Sequence, residues 1–483
     1  MNLVMFQGFQ WYLPDDGNYY KKMKKLIPEL KEVGIDAIWL PPFCKATGSN
    51  DVGYGIYDLY DLGEFDQKGS IRTKYGTKEE LLALIEEMHD NNILVYADIV
   101  MNHKASADYT EKFMAVKVDP NDRIREISEP HEIEGWTGFN FPGRGNKYSK
   151  FKWNYNHFNG VDMDAYTGEH GVFRILGENK GWSFGVSPEK GNFDYLMFSN
   201  IDHAHPDVVK EFKAWARWLV DTTGVDGFRI DAAKHIDGLY MKEFTEYVEK
   251  TFGDTFYIFG EYWNADPNQT NHYLYETGYK LDIFDVGLHF NMATASNAGG
   301  DYDLRQIFDN TVVSEHPMIA VTFVDNHDSQ PGQALSSFIQ SWFKSIAYGL
   351  ILLRKDGYPC IFYGDYYGVE ADDDKAIEPQ KEIIDKLLYI RKNYAYGDQF
   401  DYFEDPHTIG WVRTGDEEHP SGLAVVMTNR DQSSIIMNLG KERAGSVYID
   451  LTGQIAEEII LDENGNGEFI APAGGIAAYG VKE

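Results

Sequence analysis

Lys78–Ile99 reads KEELLALIEEMHDNNILVYADI. The first part, to about Asn91, spaces its apolar residues as a helix does, and Ile93–Ile99 is a short apolar run of strand length. The same pairing recurs along the chain. Further strand candidates are Leu3–Phe9, Asp36–Leu40, Val225–Asp231, Phe256–Glu261, Asp282–Val286, Met318–Val324 and Pro359–Gly364. Helix-length patterns such as Pro206–Thr222 and Ser336–Leu353 lie between them. Strand–helix alternation predicts a parallel sheet covered by helices. Eight such strands predict an α/β fold built on a closed (β/α)8 (TIM) barrel. A doubly wound open sheet is the alternative, but the GxGxxG phosphate turn that usually marks one is absent.

Two stretches break the alternation. His103–Asp202 is rich in Gly, Asn, Asp and aromatic residues with little helical period, and it is too long for a loop. An inserted, β-rich domain B is expected at 104–203, splitting the barrel into 1–103 and 204–395. From about Tyr396 the pattern turns to short alternating strands: Thr408–Thr414, Gly422–Thr428, Ser434–Asn438, Ser446–Asp450 and Ile455–Leu461. Turn signals such as Asn464-Gly465 separate them, so 396–483 is expected to form a C-terminal antiparallel β-sandwich domain.

Composition narrows the function. The 483 residues suit two or three domains, and 43% hydrophobic with 25% charged residues is ordinary for a globular chain. With 77 acidic and 44 basic residues the net charge is −33, which repels phosphate backbones and anionic lipid. Nucleic acid and membrane surfaces are therefore not expected as partners. Aromatic residues reach 15%, and flat rings stack on sugars as well as filling cores. Cys44 and Cys360 make no metal pattern. No apolar run of 18 residues occurs. Met1–Phe6 reads as a strand rather than a leader. A cytoplasmic chain and a secreted one whose signal has been removed are both compatible with this.

Chemistry in such a barrel sits at the C-terminal ends of its strands. Those ends here read Asp98-Ile99-Val100-Met101-Asn102-His103, Arg229-Ile230-Asp231, Glu261-Tyr262-Trp263 and Asp325-Asn326-His327-Asp328. A single Asp at a strand end often caps a helix. Four strands ending in acid, His or Arg on one rim are not accounted for by capping. Buried carboxylates cost several kcal/mol, on the order of the penalty per ion, unless paired or used. Paired carboxylates without a nucleophilic Ser or Cys motif point to glycoside chemistry, in which one acid stays protonated and the other ionised. Arg229 shares a strand face with Asp231 and should hold it anionic. Glu261 lies among like charges, which should raise its pKa. Asp231 is thus expected as nucleophile and Glu261 as acid/base.

The segments DIVMNH, GFRIDAAKH, GEYW and FVDNHD resemble the four signature segments of the alpha-amylase family of retaining glycoside hydrolases. DVGYGIYDLYDLGEF, GTKEEL, FPGRG, FKW, DYLMF and TFVDNHDSQPGQ are similar to its bacterial liquefying branch. The resemblance covers nearly the whole chain. It implies Asp231, Glu261 and Asp328 as nucleophile, acid/base and transition-state stabiliser. It also implies sugar contacts from Tyr54, His103, Arg229, Lys234, His235, Trp263 and His327, with Trp11 and Gln333 lining the cleft. The implied activity is endo-hydrolysis of α-1,4-glucosidic bonds in starch, glycogen and maltooligosaccharides, by a monomer. Transglycosylation, exo-cleavage and a non-catalytic glucan-binding role are the alternatives.

The resemblance further implies Ca2+ where barrel meets insert, held by Asn102, Asp194, Asn200 and the backbone carbonyl of His235. Oxygen ligands suit this hard cation. Secreted liquefying relatives carry a larger calcium–sodium–calcium cluster. This chain has Ser183, Asn200 and Ala204 at matching positions, while Asp162 and Asp202 remain. One retained calcium and a lost or degraded second site are therefore expected. A third site looks impaired as well, with His407 and Asn429 in place of acids.

Overall fold

The computed structural model describes residues 2–372 and 374–482. Eight parallel strands close a barrel: β1 (Met5–Gln7), β2 (Ala37–Leu40), β3 (Leu94–Ile99), β4 (Gly227–Ile230), β5 (Tyr257–Gly260), β6 (Asp282–Phe284), β7 (Ala320–Phe323) and β8 (Tyr358–Phe362). Ring order follows chain order, with β1 closing on β8. Apart from a few positions at their ends the strands are buried, as expected for a sheet covered on both faces.

The helix after Gly76 shows how locally the pattern is written. Thr77 and Glu80 form a capping box at the start of Lys78–Asp90, and Leu81, Leu84, Ile85 and Met88 make its buried stripe. Asn91 caps its end instead of continuing it. Pro206 opens the helix Pro206–Thr223, and Gly224 ends it at φ 73°, a left-handed conformation that glycine adopts without Cβ strain.

Most expected strands are trimmed at their ends, and two expected elements are cut short for a visible reason. The run Asp282–Val286 is a strand only to Phe284, because the Asp285 carboxylate accepts from Leu288 N at 2.9 Å and starts the helix Val286–Ala298. In place of a helix over Ser336–Leu353, the α-helix covers Lys344–Leu352. Upstream, Ser337 N bonds the Ser329 carbonyl and Ile339 N bonds the Asp325 carboxylate, so these amides are engaged outside a helix.

The chain divides into two compact units. One comprises Leu13–Pro28 and Ile38–Ile283. Within it, the stretch between β3 and β4 forms a seven-stranded sheet ordered His103–Lys104, Ser199–Ile201, Phe158–Asp164, Glu169–Ile175, Tyr109–Asp119 and Asp122–Glu126, with His131–Gly138 also on Tyr109–Asp119. The other comprises Met1–Tyr12, Glu29–Ala37 and Phe284–Glu483. It carries a six-stranded sheet and a two-stranded antiparallel sheet of Ser433–Asn438 and Asn466–Ala471. Val412, Ala424 and Tyr479 of the larger sheet share a core with Met437 and Phe469 of the smaller, which makes a sandwich. Strands Gln399–Tyr402, Asn466–Ala471 and Gly475–Val481 were not expected, whereas of Ile455–Leu461 only Ile459–Ile460 is strand.

Candidate active site

In the ladder β3–β4–β5, Arg229 is level with Asp98 on one side and Phe259 on the other, and Ile230 is level with Gly260. Asp231 and Glu261 therefore follow the C-terminal ends of neighbouring strands. Arg229 Nη1 donates to Asp231 Oδ1 at 2.8 Å and to Asp98 Oδ1 at 3.0 Å, while Nη2 donates to Glu261 Oε2. All four groups are buried. Ala232, at φ 51°, takes a left-handed conformation uncommon outside glycine and turns the chain sharply just past Asp231.

Arg229 bonds Asp231 as expected, and it also bonds Asp98 and Glu261. Register sets its fork between both flanking strands, so it is shared by three carboxylates. Burial pushes Asp231 and Glu261 above the ordinary carboxylate range, with Arg229 pulling each back. Burial likewise lifts Asp98 to about 7 against the pull of the same cation. Three acids around one guanidinium favour retention of a proton near neutrality. Sites that need one protonated and one ionised carboxyl use such an arrangement.

Asp98 is the residue that motif reading passed over. Its Oδ2 accepts from Tyr54 Oη at 2.8 Å and from Trp39 Nε1 at 3.0 Å, and the Arg229 guanidinium lies over the Trp39 ring at 4.9 Å. The signal was present: one acid inside the apolar run ILVYADI.

Tyr54 is half-buried, and its carbonyl bonds His103 Nε2 at 2.8 Å. His103 is buried, which lowers its pKa to about 4 and keeps it neutral. Lys234 Nζ donates to the Trp263 carbonyl at 3.0 Å and lies 3.3 Å from Glu189. His235, in the single 3-10 turn Ala233–His235, directs Nδ1 to the Phe193 carbonyl at 2.6 Å. Trp263 is nearly buried. A cavity of about 340 Å³ runs along Lys104–Ala107 and is bordered by Asp162, Phe198 and Trp136, which is 45% exposed.

The other unit holds the β7 end. His327 Nδ1 bonds Gln7 Nε2 at 3.0 Å, its ring stacks on Trp11 at 6.1 Å, and its Nε2 lies 3.3 Å from Asp328 Oδ2. Asn326 Oδ1 accepts from Asp328 N at 2.9 Å and Ser329 N at 2.8 Å, and Ser329 Oγ donates to Asp325. That tight turn presents Asp328, whose side chain is 24% exposed. Gln333 Nε2 donates to Tyr12 Oη at 3.0 Å.

The expected metal ligands partly come together. Asp194 is wholly buried and accepts from Asn159 Nδ2, Asn200 Nδ2 and Ser183 N, all neutral donors. Burial raises its pKa to about 6. Asn102 Nδ2 reaches Asn200 Oδ1 at 3.3 Å, and Asn102 Oδ1 is buried without a hydrogen-bond partner. An orphaned oxygen beside an uncompensated carboxylate fits a hard cation. Of the other expected ligands, Asp202 pairs with Lys180 at 2.8 Å, and Asp162 lines the cavity. Asn429 donates through Nδ2 to the carbonyls of Gly299 and Tyr302, at 2.9 and 2.8 Å. His157, His205 and Asp207 also lie close together. Main-chain N–H groups donate to Nδ1 of both rings, which leaves each Nε2 protonated in the neutral ring and unsuited to a metal.

The alpha-amylase family model, described as the alpha amylase catalytic domain, matches residues 23–162 and 191–395. The chain belongs to the alpha-amylase family. It is 46% identical over 479 residues to an alpha-amylase of Geobacillus stearothermophilus, covering 99% of this chain and 87% of that one. It is also 46% identical over 480 residues to a glucan 1,4-alpha-maltohexaosidase of Bacillus sp. (strain 707), covering 99% and 92%. An acarbose-complexed alpha-amylase of Geobacillus thermoleovorans shares the fold at TM-score 0.67 and 18% identity, covering 100% and 98%. The family thus agrees with the closed barrel and with glycoside hydrolysis. Among the described residues no helix is long and apolar enough to cross a membrane.

Proposed function

We propose that this protein is an endo-acting hydrolase of α-1,4-glucosidic bonds in starch, glycogen and maltooligosaccharides, working with retention. The observation that carries the reading is the single guanidinium of Arg229 bonded to both Asp231 and Glu261. One fork bridging both carboxyls favours the close spacing of a retaining pair, about 5–5.5 Å, over the wider inverting pair. Glu261 in its protonated form donates to the leaving oxygen while Asp231 attacks the anomeric carbon, forming a covalent glycosyl ester. Glu261, now ionised, takes a proton from water, and the hydroxide displaces Asp231. Asp328 is assigned as the third carboxylate, stabilising positive charge on the sugar ring. The glucan is expected to follow Lys104–Ala107 towards Trp136, whose ring offers a stacking face.

One calcium completes the reading, held by Asn102, Asp194, Asn200 and the His235 carbonyl. Bound there, it would neutralise Asp194 and fix the segment next to Phe193, which His235 already anchors. Metal analysis with melting in chelator tests it; an unchanged melting temperature with no bound calcium would remove it. The three-part division into barrel, insert and C-terminal domain, and a monomeric state, belong to the same reading.

Early products from soluble starch test the activity. Mixed mid-length maltooligosaccharides support endo-hydrolysis. The 46% identity to a maltohexaosidase favours a second reading, for which a dominant single product would speak. Cyclic products would mark transglycosylation.

A further inference from the structure

Lys180 lies in the loop after the strand Glu169–Ile175, and its ammonium is surrounded by oxygen. Nζ donates to Asp202 Oδ2 at 2.8 Å, to the Phe158 carbonyl at 2.9 Å and to the Asn156 carbonyl. Both charged side chains are only 7% exposed. One carboxylate with two main-chain carbonyls is the donor chemistry of a hard-cation site. Three acceptors also match the three hydrogens of an ammonium, a compact point charge. Asn156 lies within the short turn Tyr155–His157, Phe158 begins the strand after it, and Asp202 follows the strand Ser199–Ile201, so the contact pins three separate segments of one unit.

The cradle adjoins the candidate calcium group. The next residue, Gly181, offers its carbonyl to Asn159 Nδ2 at 3.2 Å, and the same nitrogen donates to Asp194 at 2.8 Å. We propose that the Lys180 ammonium is a tethered cation that occupies this cradle in place of an exchangeable metal ion. The chain itself thus supplies the charge that Asp202 needs, in a form no chelator removes. A mobile ion entering the cradle would meet a like charge at hydrogen-bond distance from every available ligand.

The test compares wild type with Lys180→Ala and Lys180→Met, each stripped with chelator and then titrated with calcium chloride or sodium chloride. Bound metal is counted after gel filtration, and melting is followed alongside. Lys180→Ala empties the cradle, so it should bind one ion more per chain than wild type, and its lowered melting temperature should recover with added ion. Lys180→Met fills the cradle with an apolar chain, so its loss should not recover. Asp202→Asn keeps the ammonium but removes its counter-charge, and should melt lower than wild type whatever the metal. The proposal fails if Lys180→Ala takes up no additional ion. It also fails if Asp202→Asn melts as wild type, a result that decides the matter even where Lys180→Ala does not fold. A wild type without calcium bears on the Asn102–Asp194 group alone, because the cradle is read from the difference between variant and wild type.

Discussion

Asp98 Oδ1 sits 3.0 Å from Arg229 Nη1, and the two residues are directly level in the ladder joining β3 to β4. That register makes Asp98 a competitor of Asp231 and Glu261 for the same guanidinium. Its carboxylate never needs to touch sugar to affect the reaction.

Asp98→Asn should shift the pH profile. Removing an anion next to Asp231 and Glu261 lowers both their pKa values. Glu261 then loses its proton at lower pH, so the alkaline limb of kcat/KM moves towards acid. Initial rates from pH 4 to 10 read this, and an unmoved limb would leave Asp98 a purely structural role.

Asp98 also leaves a mark on stability. Burial raises its folded pKa to about 7, above its ordinary value, so the folded chain holds that proton more tightly than the unfolded one. Its contribution therefore declines as pH rises from about 4 to 7. Asp98→Asn should flatten that decline in denaturant midpoints measured across the window.

Asp231→Asn, Glu261→Gln and Asp328→Asn should each lose on the order of 10³-fold or more in turnover on soluble starch, because nucleophile and acid/base act as a unit. Reducing-end release is the measurement. Near-normal turnover in any one of them would take that residue out of the mechanism.

Lys344 is buried between Asp325, at 3.3 Å, and Asp365. Lys344→Met leaves two buried carboxylates without their cation, so a loss of about 3–5 kcal/mol is expected from urea unfolding. Turnover should fall as well, since Asp325 holds the Ser329 hydroxyl in the turn that presents Asp328. A midpoint equal to wild type would show that the lysine is dispensable.

Trp136→Ala should raise KM for long glucans while leaving turnover of short maltooligosaccharides near wild type, because Trp136 lines the cavity assigned to the glucan, whereas Asp231 and Glu261 do not. Equal effects on both substrate lengths would place the ring outside the substrate path.

The sequence by itself determined the barrel, the β-rich insert and the strand-end acids, because helical and strand periods are local and each strand end is read where its run stops. Through resemblance it also proposes Asn102, Asp194 and Asn200 as calcium ligands, which metal analysis tests. Tertiary structure alone decided which charges distant in sequence meet. Arg229 and Asp98 are 131 positions apart, and Lys180 and Asp202 are 22 apart across a loop. A sequence shows that a residue is charged, but the partner of a buried charge follows from strand register and loop path. Desolvation then makes that partner decisive, which is why the roles of Asp98 and Lys180, though not their charges, emerged only from the fold.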